Sequence, residues 1–328
     1  MLMIAIIGAG IAGTACAQHL QQQGRSVVVF DKGRSVGGRM SSKRTSAGYL
    51  DLGAQYFTAR TPAFSSQCQR WLAQQVVARW QGALGVIEQG KLSASPDNTE
   101  RYIGIPSMQK PVQQLLADIS VRHAQVSTIH FEQGRWQLYA ASDLLGQFEQ
   151  LVLAVPQQQA ATLLQHLIPS QQQLKKLFDQ TALLPCWAVN IELAEANSLP
   201  VAFDGIFVKQ DNQVSWLARQ GSKTGRAGPQ QWLIHFNPAW SAAHLELTAD
   251  DVAQYGLAAL QRLFNTKVNA VATLSHRWRY AQQAAEYPPL GAVLLPDLKL
   301  GLCGDWLNGG RVENAWLSGK QLAEGLAL

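Results

Sequence analysis

Three glycines near the start of the chain have a spacing suited to anion binding. Gly8, Gly10 and Gly13 form a GxGxxG motif. The motif follows an apolar run at residues 4–7, which predicts a buried strand, and it precedes a helical pattern that begins at Thr14. Gly8 permits a tight turn, Gly10 lets the backbone approach a phosphate, and Gly13 lets the helix pack closely on the strand. Since a helix N-terminus offers free N–H donors and a positive dipole, the motif predicts a pyrophosphate site.

A second buried strand is predicted at residues 27–30 and ends at Asp31, which Lys32 follows. A strand, glycine turn, helix and strand within about thirty residues form the unit that the dinucleotide fingerprint requires. The Asp31 carboxylate can accept hydrogen bonds from ribose hydroxyls. Nearby basic residues either form a solvated loop or provide a field for an anionic ligand, and they are Lys32, Arg34, Arg39, Lys43 and Arg44. The neighbouring motif favours the second interpretation, so we predict dinucleotide binding.

Two further motifs indicate which dinucleotide is bound. The pair Gly38-Arg39, preceded by another glycine, follows the acidic residue after a short loop, and Arg39 can neutralise a pyrophosphate. Near the other end of the chain, Gly304-Asp305 precedes a helix predicted from about Glu313. These motifs resemble the two FAD-binding segments of the flavin amine oxidase superfamily. The resemblance implies that Asp305 holds the ribityl or phosphate region of FAD and that the helix N-terminus faces the flavin.

Longer segments resemble the renalase family, most clearly Asp-Leu-Gly-Ala-Gln-Tyr-Phe-Thr at 51–58. Stretches at 216–219, 232–235, 276–281, 303–306 and 310–313 resemble its bacterial members, so the resemblance covers essentially the whole chain. It implies that FAD is contacted by Ala12, Arg39, Gln55, Tyr56, Gly304, Asp305, Val312 and Glu313. We expect FAD to be bound non-covalently, because Cys303 precedes the Gly-Asp turn inside a predicted strand.

The resemblance also implies an activity. Bacterial renalase-like proteins oxidise dihydro isomers of NAD(P)H, reduced at the wrong ring position, to NAD(P)+, and O2 takes the electrons and leaves as hydrogen peroxide. A dihydropyridine that gives up hydride becomes an aromatic pyridinium, so the site has mainly to place the donor carbon over flavin N5. We therefore expect a small dinucleotide substrate, 2-dihydro- and possibly 6-dihydro-NAD(P), and no Ser-His-Asp or paired-carboxylate machinery.

Candidate residues on the substrate side are His235, Trp187, Asn190, Trp216 and Trp278. His235 ends a strand-like run, where it is either a hydrogen-bonded core histidine or a group that orients the nicotinamide carboxamide. The tryptophans are either core residues or walls that face the flavin or substrate. His276, beside two arginines, either meets substrate phosphates or is structural, and the structural role is favoured.

The elements that position these residues predict two domains in an α/β fold. The fold implied by the resemblance pairs a doubly wound, Rossmann-like FAD domain of the p-hydroxybenzoate-hydroxylase type with a sheet-based substrate domain. We assign 1–60, 104–168 and 268–328 to the FAD domain, and 61–103 and 169–267 to the substrate domain. Helices are predicted at 14–23, 62–81, from about 107, within 157–173, at 241–264 with a cap near Thr248, and at 313–326.

Composition limits the other possibilities. The chain has 328 residues, of which 47% are hydrophobic and 15% charged, and this excludes fibrous and broadly disordered classes. Four scattered cysteines without metal-ligand spacing predict no metal site and fit a reducing cytoplasm. The net charge of +5 has no sustained basic stripe, so nucleic acid binding is not expected. We find no apolar run long enough for a membrane span, no signal peptide, and no motif that implies an obligate protein partner.

Two other functions remain open from the sequence. The chain could be a flavin amine oxidase or desaturase acting on another small substrate, although such relatives are usually longer. It could also bind FAD without catalysis and sense redox state for a partner. The segments that distinguish these functions lie in the substrate domain, which has the weaker motifs.

Overall fold

The computed structural model describes residues 3–194, 199–226, 228, 230–284 and 287–326. Its α-helices are α1 Ile11–Gln22, α2 Pro62–Ala73, α3 Lys110–Leu115, α4 Gln157–Leu164, α5 Gln172–Gln180, α6 Pro238–Ala243, α7 Ala249–Phe264 and α8 Val312–Leu326. Its first ten strands are β1 Met3–Ile7, β2 Ser26–Asp31, β3 Ser42–Thr45, β4 Gly48–Asp51, β5 Val77–Arg79, β6 Leu84–Glu88, β7 Lys91–Ala94, β8 Tyr102–Gly104, β9 Ser120–His123 and β10 Thr128–Glu132. The later strands are β11 Arg135–Ala140, β12 Asp143–Phe148, β13 Gln150–Leu153, β14 Leu183–Leu193, β15 Gly205–Val208, β16 Val214–Arg219, β17 Gln231–Phe236, β18 Ala270–Gln283, β19 Ala292–Leu295 and β20 Leu300–Cys303.

A six-stranded sheet in the order β19-β20-β13-β1-β2-β9 forms the nucleotide half of the molecule. Its strands run parallel except β19, which pairs antiparallel with β20. Because side chains alternate along a strand, Ile4 and Ile6 pack on the side of α1 and α8, while Ala5 and Ile7 pack on the side of the β10-β11-β12 meander. The sheet is therefore covered on both faces, as the doubly wound prediction requires.

A seven-stranded sheet in the order β18-β14-β17-β16-β15-β6-β7 forms the other half. All its neighbours are antiparallel except β15 and β6, which run parallel. One face packs on α7 through Val189, Ile191 and Ile234, which belong to one buried cluster with Val252. The mixed α/β fold with a Rossmann-like half and a sheet-based half is confirmed.

Several helix boundaries differ from those predicted. The helix expected over 62–81 ends at Ala73, and after Gln75, which has φ +57°, the chain forms β5 and pairs with β8. The helix expected over 241–264 is two helices, because Thr248 forms a capping box with Asp251 and starts α7 afresh. The helix predicted from about 107 starts at Lys110. Within 157–173, α4 ends at Leu164, and a 3-10 turn that contains Pro169 separates it from α5.

The sheet order bears on where the two domains divide. The segment 268–283 was predicted to belong to the FAD domain. It contains β18, which pairs with β14 in the seven-stranded sheet. The chain returns to the nucleotide sheet at β19. We therefore propose the predicted division with this one boundary moved to follow β18. Within the described residues, no helix is long and apolar enough to cross a membrane.

Candidate active site

The glycine-rich turn and the start of α1 provide one part of a dinucleotide site. Gly8 has φ +110°, and a Cβ on it would lie 2.4 Å from the carbonyl oxygen of Ala154. A Cβ on Gly13 would lie 2.1 Å from the Gly8 oxygen, so both positions require glycine. A Cβ on Gly10 would meet nothing within 4 Å. Gly10 caps α1 without a side-chain bond and the first turn has no acidic residue, so free N–H groups border this open space.

A second glycine turn lies against the first. Gly37 and Gly38 have φ of +126° and +55°, a conformation that residues with a side chain rarely adopt. The Gly37 N–H donates to the carbonyl oxygen of Ala9 at 2.9 Å. A Cβ on Gly38 would lie 3.4 Å from the Cα of Gly10. The two turns place bare backbone side by side and form a cradle of suitable chemistry for a pyrophosphate.

Asp31 connects the end of β2 to this cradle. Its Oδ2 accepts from the Ala9 N–H at 2.7 Å, and its Oδ1 accepts from the Gly33 N–H at 2.7 Å. Each carboxylate oxygen keeps a lone pair, so these bonds leave Asp31 able to accept a ribose hydroxyl. Lys32 follows with an exposed side chain. The ribose contact predicted for Asp31 stays a prediction.

Arg39, expected at the pyrophosphate, and Asp305, expected at the ribityl or phosphate region, pair with each other. The Arg39 guanidinium donates to both carboxylate oxygens, with an Nη1–Oδ2 distance of 2.9 Å. The same Nη1 donates to the carbonyl oxygen of Ala281 at 2.9 Å. Gly304, which precedes Asp305, donates its N–H to Ser318 Oγ at 2.9 Å. The pair therefore joins the Gly-Gly-Arg segment, the Gly-Asp turn and the end of β18 at one place.

Helix α8 lies along α1 with their N-termini at the same end. A Cβ on Gly319 would lie 2.0 Å from the carbonyl oxygen of Ala12, so the two backbones are in direct contact. Arg25, just beyond the end of α1, donates to the carbonyl oxygen of Leu326 at the end of α8. Two parallel helices thus bring two positive dipole ends to the same side of the nucleotide sheet, beginning at Ile11 and Val312.

Glu313 has a structural role at the start of α8. Its buried carboxylate accepts from the Arg60 N–H at 3.0 Å and from the Thr61 N–H at 2.7 Å. It also accepts from Thr61 Oγ1 at 2.8 Å, and Thr61 is the N-cap of α2. The Glu313 carboxylate therefore anchors α2 to α8, and the contact with FAD predicted for Glu313 stays a prediction.

Residues 51–57, which we call the bridging loop, connect the two halves of the molecule. The carbonyl oxygen of Leu52 accepts from His235 Nε2 at 2.9 Å and from Trp278 Nε1 at 3.0 Å, both in the seven-stranded sheet. The Ala54 N–H donates to the carbonyl oxygen of Arg39 at 2.9 Å, in the nucleotide half. Gln55 Nε2 donates to the carbonyl oxygens of Asp51 and Gly53, at 2.7 and 2.9 Å. Its amide thus fixes the loop from within.

The sheet face that meets the bridging loop carries most of the substrate-side candidates. Neighbouring strands pair His276 with Ala188, Ala188 with His235, His235 with Trp216, and Trp216 with Phe207. Directly paired residues point to the same side of a sheet, so this row lies on one face. Ala188 and Trp278 pack against Leu52, which identifies the face as the one turned toward the loop. We call it the site face.

Trp187 does not join this group. It neighbours Ala188 along β14, so its side chain points to the opposite face. There it is buried with Val189 and Ile234, and its Nε1 donates to the carbonyl oxygen of His244 at 3.0 Å. The placement of Trp187 beside the substrate is corrected on this ground, and Trp187 belongs to the core between the sheet and α6.

Asn190 lies two residues beyond Ala188 and therefore also on the site face. Its Nδ2 donates to Gln231 Oε1 at 2.5 Å, and it is paired across the strands with Leu233. Its Oδ1 is buried and, among the described residues, has no hydrogen-bond partner. The amide therefore retains an acceptor that could serve a ligand.

Aromatic rings gather where the bridging loop meets β16. Tyr56 lies with its ring centroid 5.8 Å from that of Trp80 and 5.7 Å from that of Trp216. Phe207 completes the group at 4.8 Å from Trp216. Trp216 Nε1 is buried and has no partner within the described part of the chain. An aromatic group with an unpaired N–H donor suits a planar ligand that carries an acceptor.

His235 is neutral at physiological pH. Burial lowers its pKa to about 4, the bond to Leu52 opposes this shift, and the positive charge of Lys223 adds to it. Because a carbonyl oxygen can only accept, the Nε2 that contacts Leu52 must carry the proton. Nδ1 is then an acceptor, which fits the predicted orientation of a carboxamide N–H and not the transfer of a proton.

The pKa of His235 predicts how its replacement changes acid stability. A folded pKa of about 4, below the unfolded value of roughly 6.5, means that acidification from 6.5 to 4 favours the unfolded chain. We expect the unfolding free energy of the wild type to fall by about 2 kcal/mol more over that window than that of His235→Gln. Urea unfolding at pH 7 and 4.5 measures this difference. The exposed residue His123 offers a control, because His123→Gln should lose as much stability on acidification as the wild type. A loss in His123→Gln as small as that in His235→Gln would contradict the assignment.

A buried charge cluster at the base of the loop was missed by the sequence analysis. Asp51 Oδ2 lies 2.7 Å from Arg226 Nη2 and 3.8 Å from Lys223 Nζ, and all three side chains are fully buried. Asp51 is the first residue of the segment 51–58, but that segment alone predicts no role for its carboxylate. The available signal was a pair of basic residues, three positions apart, in the turn between β16 and β17.

These features together fit a dinucleotide such as FAD. The glycine cradle is open above Gly10, and no side chain caps the helix behind it. The site face adds polar atoms of Trp216 and Asn190 that no other described residue pairs with. The residues present therefore offer backbone N–H donors for a pyrophosphate at one end and aromatic walls with polar atoms at the other. A flavin dinucleotide requires both kinds of group.

Comparisons with known proteins agree with this geometry. Residues 6–71 match the NAD(P)-binding Rossmann-like domain family, and residues 97–327 match the flavin containing amine oxidoreductase family. The chain is 25% identical to renalase of Mus musculus over 299 residues, which cover 86% of this chain and 85% of the mouse protein.

Solved structures show the same fold. A putative protoporphyrinogen oxidase from Exiguobacterium sp. 255-15 superposes with a TM-score of 0.78 at 12% identity, covering 99% of this chain and 98% of that chain. Cyclohexylamine oxidase from Brevibacterium oxydans superposes with a TM-score of 0.72 at 13% identity, also covering 99% and 98%.

The family match includes Lys223 and Arg226 of the charge cluster and the second FAD motif. A Rossmann-like turn together with this family implies FAD as the cofactor and oxidation or reduction of a small molecule as the chemistry. The chain belongs to the flavin containing amine oxidoreductase family and is similar to renalase.

Proposed function

We propose that this protein is an FAD-dependent oxidase of dihydro isomers of NAD(P)H, namely 2-dihydro- and 6-dihydro-NAD(P), which it converts to NAD(P)+. FAD, when bound, would accept the hydride at N5 and pass the electrons to O2, which leaves as hydrogen peroxide. The similarity to renalase over 86% of the chain supports this substrate class.

The site face is the observation that carries the proposal. Its polar groups include the acceptor Nδ1 of the neutral His235 and two atoms that have no hydrogen-bond partner among the described residues, Trp216 Nε1 and Asn190 Oδ1. None of these is a charged acid or base at neutral pH. A dihydropyridine needs no proton removed when it gives up hydride, since aromatisation drives the step, so orientation is the main task of these residues.

The roles of the side chains follow from their chemistry. Trp216, with Tyr56 and Trp80, would flank the planar pyridine ring, and its N–H could donate to the carboxamide oxygen. His235 Nδ1 would accept from the carboxamide N–H. Trp278, which donates to Leu52, would hold the bridging loop and, with it, the position of the flavin.

We also propose that FAD is held without a covalent bond and that the protein works in the cytoplasm. Cys303 is fully buried in β20, behind the Gly-Asp turn. The cysteines are all unpaired and buried, which a reducing compartment permits.

Anaerobic mixing tests the substrate class directly. The purified yellow protein is mixed with 2-dihydro-NAD, with ordinary NADH or with a panel of small amines, and bleaching of the visible flavin band is followed. We expect the 2-dihydro isomer to bleach the flavin within a second, NADH to react at least about a hundredfold more slowly, and amines not to react. If an amine bleaches the flavin faster than the 2-dihydro isomer does, the proposal is wrong and the protein is an amine oxidase. Reduction by none of these donors would favour a redox sensor.

Two tryptophan variants make a matched pair for the same experiment. Trp216→Phe removes the free N–H on the site face, and Trp187→Phe removes the N–H on the opposite face. Loss of one hydrogen bond to substrate should slow reduction at low substrate concentration about tenfold in Trp216→Phe. Trp187→Phe should reduce at the wild-type rate although its stability falls. Equal rates for the two variants would remove Trp216 from the proposed site.

A further inference from the structure

Lys223 is buried in a place where lysine is rarely found. It follows the 3-10 turn Gln220–Ser222 at the end of β16, and its side chain is fully buried. Its Nζ donates to Gln55 Oε1 at 2.6 Å and lies 5.7 Å from the centroid of the Trp80 ring. Burial of an ammonium group costs free energy unless the charge is paired and hydrogen-bonded, so the charges around Lys223 need to be identified.

The carboxylate beside Lys223 already has a closer cation. Asp51 Oδ2 accepts from Arg226 Nε at 2.8 Å and lies 2.7 Å from Arg226 Nη2, compared with 3.8 Å from Lys223 Nζ. Asp51 Oδ1 accepts from Ser42 Oγ at 2.6 Å. One carboxylate thus faces two cations, and the protonated cluster holds one positive charge in excess.

The excess charge lies directly behind the bridging loop. Gln55, which accepts the hydrogen bond from Lys223, belongs to that loop. The loop contacts the site face through Leu52 and the nucleotide half through Arg39. Inside a protein the field of an ion is weakly screened, so the charge acts on any group held against the loop. FAD takes up two electrons and one proton on reduction and then carries a negative charge on its ring.

We propose that Lys223 is a positioning residue whose ammonium group, held by Gln55 and left in excess over Asp51, stabilises the reduced, anionic form of the bound flavin. This inference goes beyond the proposed function, because it concerns how readily FAD accepts electrons from any donor. It requires only that the protein binds FAD.

The groups around Lys223 place its titration in an accessible range. Burial lowers the Lys223 pKa to about 8, Asp51 opposes the shift, and Arg226 adds to it. His235, a titratable group outside the cluster whose pKa is affected by the Lys223 charge, stays neutral in that range because its own pKa lies at about 4. The charge is thus present at pH 7 and is lost as the pH rises above 8. A negative flavin would raise the pKa again, so reduction should draw a proton onto Lys223.

The reduction potential of the bound FAD, measured with reference dyes and without substrate, tests the proposal. Lys223→Met should shift the ratio of reduced to oxidised FAD at least tenfold toward the oxidised form at pH 7, equivalent to about 30 mV for two electrons. Lys223→Gln keeps a hydrogen-bond donor without charge and should show the same shift. Lys209→Met, at an exposed lysine paired with Glu88, should keep the wild-type potential.

The wild-type protein gives a reading that does not depend on any variant folding. Its potential should fall by about 30 mV per pH unit near pH 7 and more steeply, toward twice that slope, above pH 8, where reduction takes up a second proton. A single slope from pH 6 to pH 10 would overturn the proposal. A wild-type potential in Lys223→Gln would also overturn the proposal, since the hydrogen bond to Gln55 would then set the potential without the positive charge. Neither outcome depends on which substrate the enzyme oxidises.

Discussion

Arg226→Met is expected to destabilise the protein by about 3–5 kcal/mol, the usual cost of breaking a buried ion pair. The Arg226 guanidinium is fully buried against Asp51, and its Nη1 also donates to the carbonyl oxygens of Gly104 and Thr224 at 2.6 and 2.8 Å. Removing it leaves the Asp51 carboxylate in the interior with only the more distant Lys223. Urea denaturation at pH 7 measures the loss.

The source of this loss can be separated with two further variants. The double variant Asp51→Asn with Arg226→Met removes both charges of the pair and should recover part of the stability, because no unpaired carboxylate remains. Arg262→Met breaks an ion pair with Asp211 in which the arginine side chain is 49% exposed, and it should cost less than about 1 kcal/mol. Equal losses in Arg226→Met and Arg262→Met would show that burial of the first pair is unimportant.

Gly319→Ala is expected to weaken FAD binding at least tenfold and to cost about 3 kcal/mol of stability, at the upper end for overpacking. The added Cβ would lie 2.0 Å from the carbonyl oxygen of Ala12 and 3.0 Å from the backbone nitrogen of Cys16. Both contacts are to backbone, so α8 must move away from α1, and the two helix N-termini then lose their common alignment. FAD release during dialysis and thermal unfolding report the two effects.

The same helix supplies a control for this prediction. At Gly325 an added Cβ would lie 3.8 Å from Leu294 Cδ2, an ordinary contact distance. Gly325→Ala should therefore leave FAD binding unchanged and keep or slightly raise stability, since alanine favours helix by up to about 1 kcal/mol. Similar losses from both substitutions would indicate that helix–helix contact at Gly319 does not position the cofactor site.

The nucleotide half was predictable from the sequence because its signals are local. The GxGxxG turn, the following helix and the strand that ends at Asp31 lie within one continuous stretch, and each is determined by neighbouring residues. The end of α2 was not predictable in this way. Apolar residues recur after Ala73 at Val76 and Val77, and only the pairing of β5 with the distant β8 makes that segment a strand.

The substrate side was predictable only in part. Trp187 and Asn190 lie three positions apart in β14. Because side chains alternate along a strand, the two residues cannot both lie on the same face of the sheet. Which one faces the flavin depends on where α7 packs, and no local pattern contains that information. The Lys223–Gln55 bond joins residues separated by 168 positions, and the Arg226–Asp51 contact joins residues separated by 175. Such pairings arise only when both sheets are assembled.

The bridging loop makes the two halves poor candidates for exchange as separate modules. Its hydrogen bonds reach Arg39 on one side and His235, Trp278 and Lys223 on the other. A chimaera that grafts a foreign substrate sheet onto this nucleotide half would leave the Leu52 oxygen and Gln55 Oε1 without the partners that they have here. The loop therefore has to be transplanted together with the sheet that holds it.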